Sequence, residues 1–142
     1  MTTGAEEEVW FLGEIRGSDT VHFVRSLRVL PPAPKRADMS KLIIIRWPYD
    51  VTESGMPDAA ALGRMDEFRD RLTDAVEPTG IAMEVASLTG EGVREWRFYT
   101  IGPDEFMKAL NEALAGSEVL PIDLQFFEDP DWDALDELLP RG

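Results

Sequence analysis

Cysteine is absent from this chain of 142 residues, which excludes disulfides, thiolate metal sites and cysteine nucleophiles. One histidine, His22, is too few for a His-rich zinc site. Long apolar runs are missing as well. Leu42 to Ile45 is far short of the roughly 20 residues that span a bilayer. The opening residues, Met1-Thr2-Thr3-Gly4-Ala5-Glu6-Glu7-Glu8, have neither the basic nor the apolar stretch of a secretory signal. A cytoplasmic protein with no membrane partner is therefore expected.

Positive charge is scarce. Fourteen Lys and Arg face 28 Asp and Glu, for a net charge of −14. Residues 1–47 carry seven basic and six acidic groups (+1), and residues 48–142 carry seven and 22 (−15). A nucleic acid would be repelled by the second part, because such binding rests on neutralising phosphates. Acidic surface of this kind keeps a protein soluble, or it docks a basic partner.

What remains is ordinary globular material in an amount that suits one domain over residues 1–142. Residues 1–8 are expected to be disordered. Val9–Ile15 and Val21–Leu30 are rich in aromatic and β-branched residues and flank the turn-forming cluster Arg16–Thr20, so 9–30 reads as a β-hairpin. Pro31-Pro32-Ala33-Pro34 reads as a stiff, extended linker. Leu42–Trp47 reads as a central strand ended by Pro48. Asp58 is placed to cap a helix whose Leu62, Met65, Phe68, Leu72 and Val76 recur at steps of three and four. Strands around Ile81–Val85 and Trp96–Phe98 flank the turn Thr89-Gly90-Glu91-Gly92. Pro103, Asp104 and Glu105 open a second helix, with Phe106, Ala109, Leu110, Ala113 and Leu114 as its stripe. A strand over Val119–Phe127 follows, with Pro121 pointing to an edge position. A short closing helix over 129–139 is capped by Asp129.

From 41 to 127 this order is strand, helix, strand, strand, helix, strand. It predicts an α+β, ferredoxin-like βαββαβ core: a four-stranded antiparallel sheet with two helices on one face. The first and third strands would be central, and the second and fourth would be edges. Alternation then points Leu42, Ile44, Arg46, Glu95, Arg97, Tyr99, Asp123, Gln125 and Phe127 to the second face. That face is too apolar to stand fully in water, so the hairpin, the closing helix, a second copy or a ligand should cover part of it.

Few motifs carry chemistry. Asp129, Asp131 and Asp133 alternate like the start of a calcium loop, but Ala134 and Pro140 stand where that loop needs glycine and glutamate. The glycine-rich turn lacks the lysine and hydroxyl of a phosphate loop and precedes a strand. His22 has no Gly-x-Ser-x-Gly elbow to serve. Arg94–Tyr99 mixes basic and aromatic residues, but it lacks the glycines of an RNA-reading strand. A carboxylate hydrolase stays open as an alternative, with no spacing that singles out an acid pair. No metal and no cofactor are expected.

The strand Arg94-Glu95-Trp96-Arg97-Phe98-Tyr99, followed by a helix, a strand, Glu128-Asp129-Pro130-Asp131-Trp132 and Leu138-Leu139-Pro140, resembles the bacterial family catalogued as domain of unknown function 695, over roughly residues 20–140. The family brings no activity or catalytic residue with it. The closing motif is also similar, more thinly, to that of the B-type regulators of ribonuclease E. Those are small acidic ferredoxin-like proteins that bind and inhibit an enzyme, and the likeness implies a protein-binding role. The expected function is thus a non-enzymatic binding or regulatory module. It would dock a protein partner, or a second copy as a structural homodimer, through an acidic surface and the open sheet face. Arg46, Arg97 and Tyr99 are the expected binding residues.

Overall fold

The computed structural model describes residues 9–16 and 20–139. The expected disorder of 1–8 and most of the first hairpin's turn lie outside the described residues. The elements in chain order are β1 (Trp10–Arg16), β2 (Val21–Leu27), α1 (Ala33–Asp38), β3 (Lys41–Pro48), α2 (Ala59–Val76), β4 (Ala82–Gly90), β5 (Val93–Thr100), α3 (Pro103–Ala113), β6 (Asp123–Glu128) and α4 (Asp133–Asp136). None of these helices is long and apolar enough to cross a membrane.

The architecture is mixed α and β, built on one six-stranded sheet in the order β1-β2-β4-β5-β3-β6. Every neighbouring pair is antiparallel. β3 is central because its Ile-rich run can bury both faces, and it pairs with β5 on one side and β6 on the other. The expected four-stranded sheet is corrected here. β4 is not an edge, because Phe23–Ser26 of β2 pair with Ala86–Thr89. The hairpin satisfies backbone groups that an edge would leave open, and it widens the sheet sideways instead of lying across its second face.

Local chemistry explains the other departures. The proline run does not form an extended linker. Pro32 is the N-cap of α1 and Pro34 sits in its first turn, where a missing N–H costs no helical bond. Glu91 and Gly92 make the β4–β5 turn with φ of 52° and 80°, the left-handed pair that a two-residue hairpin needs. Gly90 serves a different end, since a Cβ there would stand 2.5 Å from the Val21 carbonyl oxygen of β2.

The inner part of the sheet is covered on both faces. On one, Ile43, Ile45, Trp47, Trp96 and Phe98 meet Met65, Phe68, Leu72 and Val76 of α2 and Phe106, Ala109 and Leu110 of α3. On the other, Leu42, Val85, Ala86 and Tyr99 meet Leu27, Met39, Trp132 and Leu135. Asp58 caps α2 as expected, accepting from the Ala61 amide at 2.8 Å.

Candidate functional site

The three expected binding residues do share the second sheet face, but that face is covered, which corrects the idea of an open surface. Tyr99 is fully buried. Its ring stacks on Trp132 with centroids 3.9 Å apart and planes 4° from parallel. Its hydroxyl donates to Asp129 Oδ2 at 2.6 Å. Arg97 donates to Glu95 at 2.7 Å, to the Ala134 carbonyl at 2.6 Å and to Glu137 at 2.5 Å. Arg46, at an exposed position, shares Glu95 with it at 3.0 Å. The structure thus brings Arg46 and Arg97 together on Glu95 and places Tyr99 beside them, holding residues 129–139 down on the sheet.

The acidic run at 128–133 has a structural role. The Asp129 carboxylate accepts from the amides of Asp133 at 2.9 Å and Ala134 at 3.0 Å, so it caps a helix that starts later than expected. Residues 129–132 form a turn first, closed by the Trp132 amide on the Asp129 carbonyl. Among the described residues no cluster of His, Asp and Glu is placed to hold a metal.

Burial, and then the hydrogen bond to Asp129, raise the Tyr99 pKa well above the ordinary tyrosine range. The neutral phenol is therefore favoured in the fold. The stability it lends is complete below the unfolded pKa of about 10 and is lost as pH climbs past it. Unfolding free energies of the native chain and Tyr99→Phe should differ most at neutral pH and converge above about pH 10. A gap that stays constant from neutral to strongly alkaline solution would refute this.

The larger opening lies elsewhere. Helices α2 and α3 cover β4, β5, β3 and β6, and none of the described helices lies over the same face of the hairpin. A groove results between α2 and the hairpin, made of two connected parts of about 690 and 400 Å³ that share Leu12 and Arg25. Leu12 and Arg25 are cross-strand partners and so share a face, with Phe23 two residues from Arg25. Leu12 is 81% exposed and Phe23 41%. Leu62, Asp66, Arg69 and Glu77 line the wall along α2.

One end gathers three arginines and the carboxylates that balance them, Glu84, Asp70 and Glu77. Glu84 on β4 is only 2% exposed and accepts from Arg69 at 2.8 and 3.0 Å and from Arg25 at 3.4 Å. The Arg25 guanidinium lies 3.8 Å over the Trp10 ring. Arg28 donates to the Trp10 carbonyl at 3.2 Å. Burial lowers the Arg25 pKa, and Arg69 and Arg94 push the same way against Glu84. For Arg69 burial also opposes the charge, but its bonds to Glu84 and Asp70 outweigh it and the pKa rises. Arg94, deeper in the groove, donates to Asp66 at 3.0 Å, while its buried Nε has no acceptor.

Sequence reasoning missed this groove. The available signal was a charged residue inside each of two apolar strands, Arg25 between Val24 and Ser26-Leu27 and Glu84 between Met83 and Val85, with opposite signs.

Residues 6–139 match a family of unknown function, DUF695. The chain belongs to that family. The DUF695 match takes in both the hairpin and the closing segment, so the groove and the covered face are parts of one family domain. No curated protein and no solved structure matches the chain, and the thinner likeness to regulators of ribonuclease E has no counterpart here.

Proposed function

We propose that this DUF695 protein is a non-enzymatic binding module that docks a protein partner in the groove between α2 and the hairpin. One observation carries the reading: the hairpin widens the sheet past its helices and leaves Leu12, Phe23, Trp10 and Arg25 facing an unfilled channel. Apolar surface of that kind, mixed with tryptophan and arginine, has the composition of interface anchors. The surface first expected to bind now has a different role, since Arg97 and Tyr99 hold the closing segment. The same reading treats β3–α2–β4–β5–α3–β6 as a ferredoxin-like unit with an added hairpin, supported by the spatial order β6-β3-β5-β4.

The test compares native chain with a Leu12→Asp/Phe23→Asp variant as bait in cell lysate. Both substituted positions are exposed, so the stability change should stay within about 1 kcal/mol. Proteins retained by the native bait should be missing from the variant. Identical lists would defeat the proposal.

A further inference from the structure

We infer that two copies of this chain join their sheets edge to edge through β6, antiparallel about a two-fold axis at Gln125. β6 ends the strand order and pairs only with β3. Two backbone bonds fix which of its groups that pairing uses. The Asp129 N–H donates to the Ser40 carbonyl at 2.9 Å, and the Tyr49 N–H donates to the Gly92 carbonyl at 2.8 Å. Hydrogen-bonded pairs alternate along an antiparallel ladder. The first bond therefore turns Phe127, Gln125 and Asp123 toward β3. The second turns Trp47, Ile45 and Ile43 toward β5 and leaves Arg46, Ile44 and Leu42 for β6, in agreement with the first. The N–H and C=O groups of Leu124, Phe126 and Glu128 thus point outward, and no described residue bonds them.

The two edges of the sheet are not alike. Soluble proteins blunt a free edge with charge, proline or a bulge. β1 follows that rule. The Arg28 N–H donates to the Val9 carbonyl at 2.8 Å, so Trp10, Leu12, Glu14 and Arg16 present the outward groups. Glu14 and Arg16 are charged, and the Arg28 side chain occupies the Trp10 carbonyl at 3.2 Å. In β6 the stretch Leu124-Gln125-Phe126-Phe127 has neither charge nor proline, and its register runs without a bulge. Phe126 and Phe127 are 41% and 45% exposed, one on each face of the strand.

A second copy fits this edge in one register. With the axis at Gln125, Leu124 stands opposite Phe126 of the second copy and Phe126 opposite its Leu124. Each of these pairs exchanges both N–H···O=C bonds and sets apolar side chains against each other. Asp123 then faces Phe127 and Glu128 faces Ile122, so no like charges are directly opposed. An axis at Phe126 would set Asp123 against Asp129. An axis at Leu124 would call on the Ile122 N–H, which already donates to the Leu120 carbonyl at 2.8 Å. The Glu128 carboxylate is held by Lys41 at 3.1 Å. The hairpin lies at the far end of the strand order, so a dimer through β6 leaves both grooves open.

One short strand per copy is a small interface, of the class that associates weakly. Each copy also has a net charge of −14, so salt should favour the pair by screening. The experiment is sedimentation equilibrium of the full chain from micromolar to submillimolar concentration, with amide exchange measured residue by residue at both ends of that range. A monomer–dimer equilibrium that tightens as salt rises is expected. Exchange at Leu124 and Phe126 should slow by about tenfold in the dimer, while Gln125 and Phe127, already bonded to β3, change far less. Phe126→Pro should weaken the dimer by at least about tenfold, because its missing N–H lies outside the β3 ladder and the fold is spared. A monomer at every concentration would overturn the inference and leave the edge to a strand of another protein. So would a dimer with unchanged exchange at Leu124 and Phe126, or one that protects Leu12 and Glu14 instead. Species that keep growing past the dimer would mean β6 pairing head to tail with β1, and would overturn it as well.

Discussion

Trp132→Ala should lower the unfolding free energy by about 3–5 kcal/mol, the range for emptying a large aromatic site in a core. The ring is fully buried and stacked on Tyr99. Its Nε1 donates to the Met39 carbonyl at 2.9 Å, so truncation also leaves a buried acceptor without its donor. The backbone adds a sharper expectation. Trp132 has φ 58° and ψ 42°, the left-handed region that disfavours residues with a Cβ by about 1–2 kcal/mol. Trp132→Gly should therefore destabilise by about 1 kcal/mol less than Trp132→Ala, although glycine fills even less of the cavity. Denaturant titration of both variants measures this. A loss below about 1 kcal/mol for alanine would mean that the closing segment adds little to the second core.

Glu84→Gln should be comparably severe. The carboxylate answers both Arg69 and Arg25, and removing one partner of a buried ion pair costs about 3–5 kcal/mol. The penalty lies in removing the buried charge that both guanidinium groups face, although Arg69 keeps Asp70 at 2.9 Å. Replacing Arg69 by Met together with Glu84→Leu should then recover most of the lost stability, because well-packed apolar groups often match a buried pair. Arg25 tolerates that exchange, being 37% exposed and stacked on Trp10. If the single and double variants unfold at the same denaturant concentration, the desolvated pair is not the cause.

Much of the fold was legible because alternation reports which way each side chain points. Ile43, Ile45 and Trp47 were assigned to one face and Leu42 and Ile44 to the other, and the two cores divide them so. In α2, Met65, Phe68, Leu72 and Val76 are buried as their spacing predicts. Leu62, the fifth member of that stripe, stays half-buried because it reaches the groove and not the sheet. Sheet width was not legible. Periodicity describes a strand's two faces but not its lateral neighbours, and Arg25 lies 59 residues from Glu84. The cover on Tyr99 was partly legible, since the closing helix stood among the expected covers of that face and its Trp132, Leu135, Leu138 and Leu139 are apolar. The turn that aims this stripe depends on a left-handed tryptophan, which no propensity rule anticipates.

The return of residues 129–139 to the strand beginning at Lys41 also sets an order of assembly during synthesis. The Asp129 amide donates to Ser40, and Trp132 donates to Met39, 93 positions earlier. A nascent chain that has emerged from the ribosome only as far as α3 still lacks β6 and the Trp132 ring that stacks on Tyr99. Its Ile-rich strand has an open flank and an oily underside for as long as translation takes to deliver the last stretch, so protection by a chaperone matters most in that interval.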